Sequence, residues 1–128
     1  MNIDNELVIY TDGSCSPNPG KGGWAFIALL DGYEFHVNGK NDWTTNNVME
    51  MTAVIEALKE FSTQKRFKIF SDSQYVINCA TGKWKRNKNI DLWAEYDLYS
   101  KGKMVTFQWV KGHNGDHYNE LVDKLAKN

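Results

Sequence analysis

Four carboxylates stand in this chain where they could share one task. Asp12 follows the apolar run Leu7 to Tyr10, and Asp72 follows Phe67 to Phe70. Each run reads as a buried strand, so each aspartate falls at a strand end. Parallel strands bring their C-terminal ends together, and open α/β sheets build their sites at that edge. Two aspartates delivered there make a hard, anionic oxygen site, which suits Mg²⁺ or Mn²⁺. Glu50 lies in the expected first turn of a long helix, where the helix dipole favours a carboxylate for structural reasons alone. Asp123 lies inside a terminal helix, where an ordinary exposed position is the alternative.

The elements that would position these groups can be read from pattern. After Leu7 to Tyr10, the segment Ser14 to Gly23 holds both prolines (Pro17, Pro19) and several glycines, and reads as loop. Trp24 to Leu30 is a second strand, Asp31-Gly32 a hairpin turn, and Tyr33 to Val37 alternates apolar and polar residues as a third strand. Thr44-Thr45-Asn46-Asn47 offers N-cap chemistry ahead of a helix from Val48 to Phe61. A fourth strand at Phe67 to Phe70 leads to a short helix, Gln74 to Ala80. A helix at Ile90 to Tyr99, a strand at Met104 to Val110, a loop at Lys111 to Asp116 and a helix at His117 to Lys127 complete the order. An α/β fold follows: a five-stranded mixed sheet flanked by helices, an antiparallel meander joined to parallel strands through helical crossovers.

The 128 residues, 41% hydrophobic and 24% charged, predict one soluble globular domain over 1–128. The net charge of -1 does not announce a nucleic-acid binder. The distribution is more telling, because Lys83, Lys85, Arg86 and Lys88 surround Trp84, and a local basic patch binds phosphate while acidic groups elsewhere cancel the sum. A solvated lysine-rich loop is the alternative. Cys15 and Cys79 form no metal-ligand or disulfide pattern, so a reducing compartment is expected. No signal-peptide pattern opens the chain and no apolar run approaches a membrane span. A cytoplasmic monomer is the expectation.

Four segments then carry a resemblance. Thr11-Asp12-Gly13-Ser14-Cys15 through Asn18-Pro19-Gly20, Thr44-Thr45-Asn46-Asn47-Val48-Met49-Glu50, Ser71-Asp72-Ser73-Gln74-Tyr75-Val76, and Trp109-Val110-Lys111-Gly112-His113 with Asn119-Glu120 and Asp123-Lys124-Leu125-Ala126 follow one another in order. The chain thereby resembles the type 1 ribonuclease H family over nearly its whole length. The resemblance implies the ribonuclease H-like fold and an endonuclease that hydrolyses the RNA strand of RNA–DNA hybrids to 5′-phosphate and 3′-hydroxyl ends. It implies two Mg²⁺ ions, with Mn²⁺ as a substitute, held by Asp12, Glu50, Asp72 and Asp123. Asp12 would bridge both ions, Asp123 would complete the nucleophile side, and Glu50 and Asp72 the leaving-group side. Clustered carboxylates repel one another, and two divalent ions offset that repulsion while stabilising charge on the attacking and leaving oxygens.

His113 sits in a glycine-flanked loop ten positions before Asp123. A histidine moves protons near neutral pH, and the family's matching residue assists proton transfer or product release, so impairment rather than abolition is expected on its replacement. Zinc held by His113 and His117 is disfavoured, because the glycine loop breaks the helix and neither cysteine stands in ligand spacing. For the hybrid, Asn18, Asn46, Asn47 and Gln74 resemble the amides that straddle its minor groove, and amides suit base edges and 2′-hydroxyls. Cys15 is expected to meet the sugar–phosphate through backbone and side chain, and Thr45 a phosphate of the DNA strand. Trp84 with Lys83, Lys85 and Arg86 would grip the DNA backbone. This handle is shorter than in many bacterial members, since the chain passes from Thr81 to Asp91-Leu92-Trp93 in a few residues. Trp93 is expected in the core. Gly20-Lys21-Gly22-Gly23 fails the Walker spacing, and neither a GxSxG nor a Cys–His nucleophile occurs. A non-catalytic hybrid-binding module and the nuclease domain of a reverse transcriptase are the competing readings.

Overall fold

A computed structural model of the chain describes residues 5–112 and 115–128. The elements run β1 (Glu6–Cys15), β2 (Gly20–Leu30), β3 (Tyr33–Thr44), α1 (Asn46–Glu60), β4 (Arg66–Ser71), α2 (Gln74–Ala80), α3 (Ile90–Ser100), β5 (Met104–Trp109) and α4 (His117–Lys127). The sheet order is β3-β2-β1-β4-β5. The β1–β2 and β2–β3 pairs are antiparallel, and β4 runs parallel to both β1 and β5. The ribonuclease H-like mixed sheet expected from the sequence is therefore present.

Strand alternation sorts the core into two layers. Leu7 and Ile9 of β1, Phe26 and Ala28 of β2, and Phe67 and Ile69 of β4 face one side, where they pack against α1, α2 and α3. The intervening Tyr10, Ala25 and Ile27 face the other side and meet Val122 and Ala126 of α4. Trp93 is 2% exposed in the first layer, as expected of a core residue. Asp31 and Gly32 both take positive φ (46° and 87°), which is the backbone a two-residue hairpin turn demands. No described helix is long and apolar enough to cross a membrane.

Three boundaries differ from the sequence expectation. The loop expected over Ser14 to Gly23 shrinks to residues 16–19, because β1 continues to Cys15 and pairs with a glycine-rich start of β2, Cys15 opposite Gly22. Glycine disfavours strands by entropy, yet here tight packing demands it: a Cβ on Gly22 would lie 2.6 Å from Thr44 Cγ2, and one on Gly23 would strike the carbonyl oxygen of Ala126. The third strand runs well past Val37 to Thr44, a stretch in which Asn38 to Asn41 pairs with β2 despite its polarity. Helix α1 begins at Asn46, two residues earlier than expected, with Thr45 as N-cap and its side chain accepting from the Val48 amide at 3.2 Å.

Candidate metal centre and nucleic-acid interface

The register of two parallel strands sets the position of two carboxylates. Tyr10 of β1 and Phe70 of β4 are direct partners, and their rings stack at 4.5 Å and 9° on the α4 side. Two residues further on, alternation returns Asp12 and Asp72 to that same side. Asp12 lies inside β1 rather than at its end, because β2 goes on pairing with it; the pairing with β4, however, stops at Tyr10 and Phe70, so the sheet opens at the two aspartates. The Asp72 backbone is fixed by Trp109, whose indole N–H donates to its carbonyl at 3.2 Å.

The third carboxylate arrives on α1 through a missing side chain. A Cβ on Gly13 would overlap the backbone of Met49 and Glu50, so only glycine lets α1 press against β1 at this point. The Gly13 amide donates both to Asp12 Oδ1 (2.8 Å) and to Glu50 Oε1. Glu50 is the fifth residue of α1, beyond the first turn where it was expected, and the first turn carries no acid. Its position follows from this contact and not from the helix dipole.

Asp12, Glu50 and Asp72 each offer an oxygen within 4.8 Å of the others, the one such group among the described residues. Among the described residues no lysine or arginine pairs with any of them. Burial pushes the Asp12 carboxyl up to about 7; the charge of Asp72 and the proximity of Asp123 push the same way, while hydrogen bonds to Glu50 and the Gly13 amide pull it down. Burial, then the Asp12 charge, raise Glu50 well above the carboxylate range. Three close carboxyls with no lysine or arginine beside them among the described residues could hold a metal ion. Asp123 adjoins Asp12 from α4 but stands outside the group of three, its Oδ2 held 3.1 Å from Lys127 Nζ. That pair is an i, i+4 spacing legible in the sequence and missed there; the role of Gly13 had no such signal.

The expected substrate contacts divide. Asn46 and Asn18 are engaged internally: Asn46 Oδ1 accepts from the Cys15 amide at 2.7 Å and Asn18 Oδ1 from the Asn46 amide at 3.1 Å, which ties the loop after β1 to the start of α1. Asn47 and Gln74 are exposed near the centre. The Cys15 side chain is buried, with its sulfur 3.2–3.3 Å from the carbonyls of Pro17, Gly20 and Thr44, a correction to the expected side-chain contact. In the basic loop Trp84 is 48% exposed and Lys83 and Lys85 are exposed, but Arg86 turns back onto the fold. Its Nε donates to the Cys79 carbonyl at 2.9 Å, its Nη1 to both Asp97 oxygens, and its guanidinium lies 4.6 Å from the centre of Trp93. His113 lies outside the described residues; Gly112 beside it packs against Asp72, where a Cβ would come 3.2 Å from Oδ2.

Residues 4–128 match the sequence profile of the RNase H family. The chain belongs to the ribonuclease H family. A ribonuclease H of Wolbachia pipientis wMel is 43% identical over 95% of this chain and 93% of its own length. Among solved structures, RNase H1 of the halophilic archaeon Halobacterium salinarum superposes with a TM-score of 0.81 at 25% identity, over 96% of each chain. LC11-RNase H1, determined in complex with an RNA/DNA hybrid, gives a TM-score of 0.81 at 21% identity over 95% of this chain and 97% of its own. Both solved structures bear the name RNase H1 and share this fold, and the carboxylate cluster of this chain could hold a metal ion.

Proposed function

We propose that this protein is an endonuclease that hydrolyses the RNA strand of RNA–DNA hybrids with two Mg²⁺ ions, leaving 5′-phosphate and 3′-hydroxyl ends. The observation that carries the proposal is the group formed by Asp12, Glu50 and Asp72, whose oxygens lie within 4.8 Å of one another, with no lysine or arginine paired to them among the described residues. Asp12, Glu50, Asp72 and Asp123 would hold the ions. Bound there, the ions supply a lowered pKa for water and stabilise charge on the attacking and leaving oxygens. The Gly13 amide orients Asp12 and Glu50 together, so the ligand set is preorganised by backbone. Asp123, paired with Lys127 at 3.1 Å, would close the side toward α4. His113 moves a proton to or from the reacting water or the departing strand.

The exposed Asn47 and Gln74 read the minor groove, and Asn18 and Asn46 hold the loop that presents the Cys15 backbone to the RNA sugar. Thr45, Trp84 and Lys85 contact the DNA strand. Residues 1–128 act as one catalytic domain, a monomer, in the cytoplasm, a compartment consistent with two buried free cysteines. The test is cleavage of end-labelled RNA–DNA hybrid, double-stranded RNA and double-stranded DNA with Mg²⁺, Mn²⁺ or EDTA, beside Asp72→Asn. Metal-dependent cutting of hybrid RNA alone, reduced about a thousandfold in the variant, is expected. Hybrid bound but left intact under both metals would replace the enzyme with a binding module.

A further inference from the structure

A second basic surface lies on the opposite side of the carboxylates from the Trp84 loop. The Trp84 loop follows α2, in the layer of α1 to α3. The other surface is an open groove of about 690 Å³ walled by the end of α4 and by β2 and β3. Its charged lining is Lys21, Lys40 and Lys127 against a single carboxylate, Asp42. Its floor is glycine backbone: Gly23 lets Ala126 of α4 sit directly on β2, and Gly22 lies against the Ser14 carbonyl. The groove begins where the metal centre ends. Ser14 and Cys15 line it two and three residues after Asp12, and Lys127 reaches from it to Asp123 at 3.1 Å.

The sheet is irregular at this spot. Gly20 faces Thr44 and Gly22 faces Asn41, so Asp42 and Trp43 together oppose the single residue Lys21. That two-against-one count is a β-bulge on β3, and bulges re-aim side chains beside active sites. Here Trp43 is left 72% exposed next to the lysines. Nothing in the fold uses these groups: among the described residues neither Lys21 nor Lys40 has an ion-pair partner.

We propose that this groove binds the phosphates of the strand being cut, beyond the scissile position, with Lys21 and Lys40 as phosphate ligands. The assignment rests on the nuclease reading above and extends it. Lys21 and Lys40 carry no ion pair among the described residues, Lys127 is held by Asp123, and one carboxylate lines the groove, so the two free ammonium groups give it positive charge complementary to a polyanion. The occupant is the cut strand because the groove is continuous with the carboxylates that must hold the scissile phosphate. The Trp84 loop, in the other layer, is left to the DNA strand. The two strands of one duplex are thus gripped from opposite sides of the metal centre.

The test uses the metal-loaded enzyme and hybrids neutralised at single phosphates by methylphosphonate. The Lys21→Ala/Lys40→Ala protein is expected to show a severalfold higher KM, with the loss falling more on KM than on kcat. Its plot of log KM against log salt should be shallower by about 1 to 2, the slope change for one or two lost phosphate contacts. Methylphosphonates in the RNA strand beside the cut should weaken the wild type and leave the double variant indifferent. Lys101→Ala at the far end of the sheet is the charge control; an equal effect there would reduce the groove to bulk charge and overturn the proposal. An unchanged salt slope, or neutralisation that matters only in the DNA strand, would also overturn it. A wild-type protein that cuts no hybrid would instead sink the nuclease reading.

Discussion

Asp12 is the residue at which function works against folding. Its carboxyl is buried and pushed up to about 7, and Glu50 is raised beside it. A carboxyl whose pKa is higher in the folded than in the unfolded chain favours the fold when protonated. Its contribution is fully present below the unfolded value near 3.8 and is lost as pH rises through about 7. In EDTA the melting temperature should therefore fall between about pH 4 and pH 7, with Glu50 adding to the fall. Mg²⁺ should abolish most of that slope by binding the ionised form. Asp12→Asn should flatten the slope in EDTA and raise the metal-free melting temperature at pH 8 by a few degrees, about 1 kcal/mol, while abolishing cleavage. Scanning fluorimetry across pH with and without metal reads all three; a variant that melts below wild type at pH 8 would show that the carboxyls are not held against one another.

At the scale of elements, the centre depends on how closely α1 approaches β1. Gly13→Ala would place a methyl against the backbone of Met49 and Glu50, which no rotamer change can relieve. Overpacking of this kind costs about 3 kcal/mol and displaces Glu50, so both urea stability and metal affinity should drop together. The basic loop offers a contrast. Arg86 joins α2 to α3 through Cys79, Asp97 and Trp93, so Arg86→Ala should cost about 1 to 2 kcal/mol of stability. Lys85→Ala, at an exposed site, should leave the denaturation midpoint unchanged and raise KM for hybrid; the reverse pattern would exchange their roles. These contacts mark what sequence could and could not supply. The strand end at Asp72, the Thr45 cap and the Asp31-Gly32 turn are local, carried by residues adjacent in the chain, whereas the continuation of β1 past Asp12 depends on pairing with β2. The press of α1 on Gly13, the inward turn of Cys15 and the return of Arg86 depend on partners about 10 to 40 positions away, whose approach no period or motif encodes. The polar stretch Asn38 to Asn41 was missed as strand because its pairing comes from the neighbouring β2 backbone and not from an apolar face.

Taken whole, the molecule carries a net charge of -1 and places the one close group of three carboxyls among its described residues at the point where a phosphate must arrive. Lysines stand on either side, at the Trp84 loop and in the α4 groove, but the centre itself repels the substrate until it is neutralised. The two ligands must then favour each other. Carboxylates that hold divalent ions present positive charge to the phosphate, and the phosphate oxygens complete the surroundings of those ions. Linkage makes the coupling reciprocal: whatever factor metal adds to hybrid affinity, hybrid adds to metal affinity. We expect a factor of about 5 to 150, the ordinary range for such coupling. The measurement is calorimetric titration of Mg²⁺ into the protein alone and into its complex with a hybrid made uncleavable by 2′-O-methylation at the cut. Tighter metal binding in the complex, lost in Asp72→Asn, would show that substrate and ions assemble one site; equal affinity in both titrations would mean that the carboxylates bind metal without addressing the phosphate, and the electrostatic account of substrate entry would have to be abandoned.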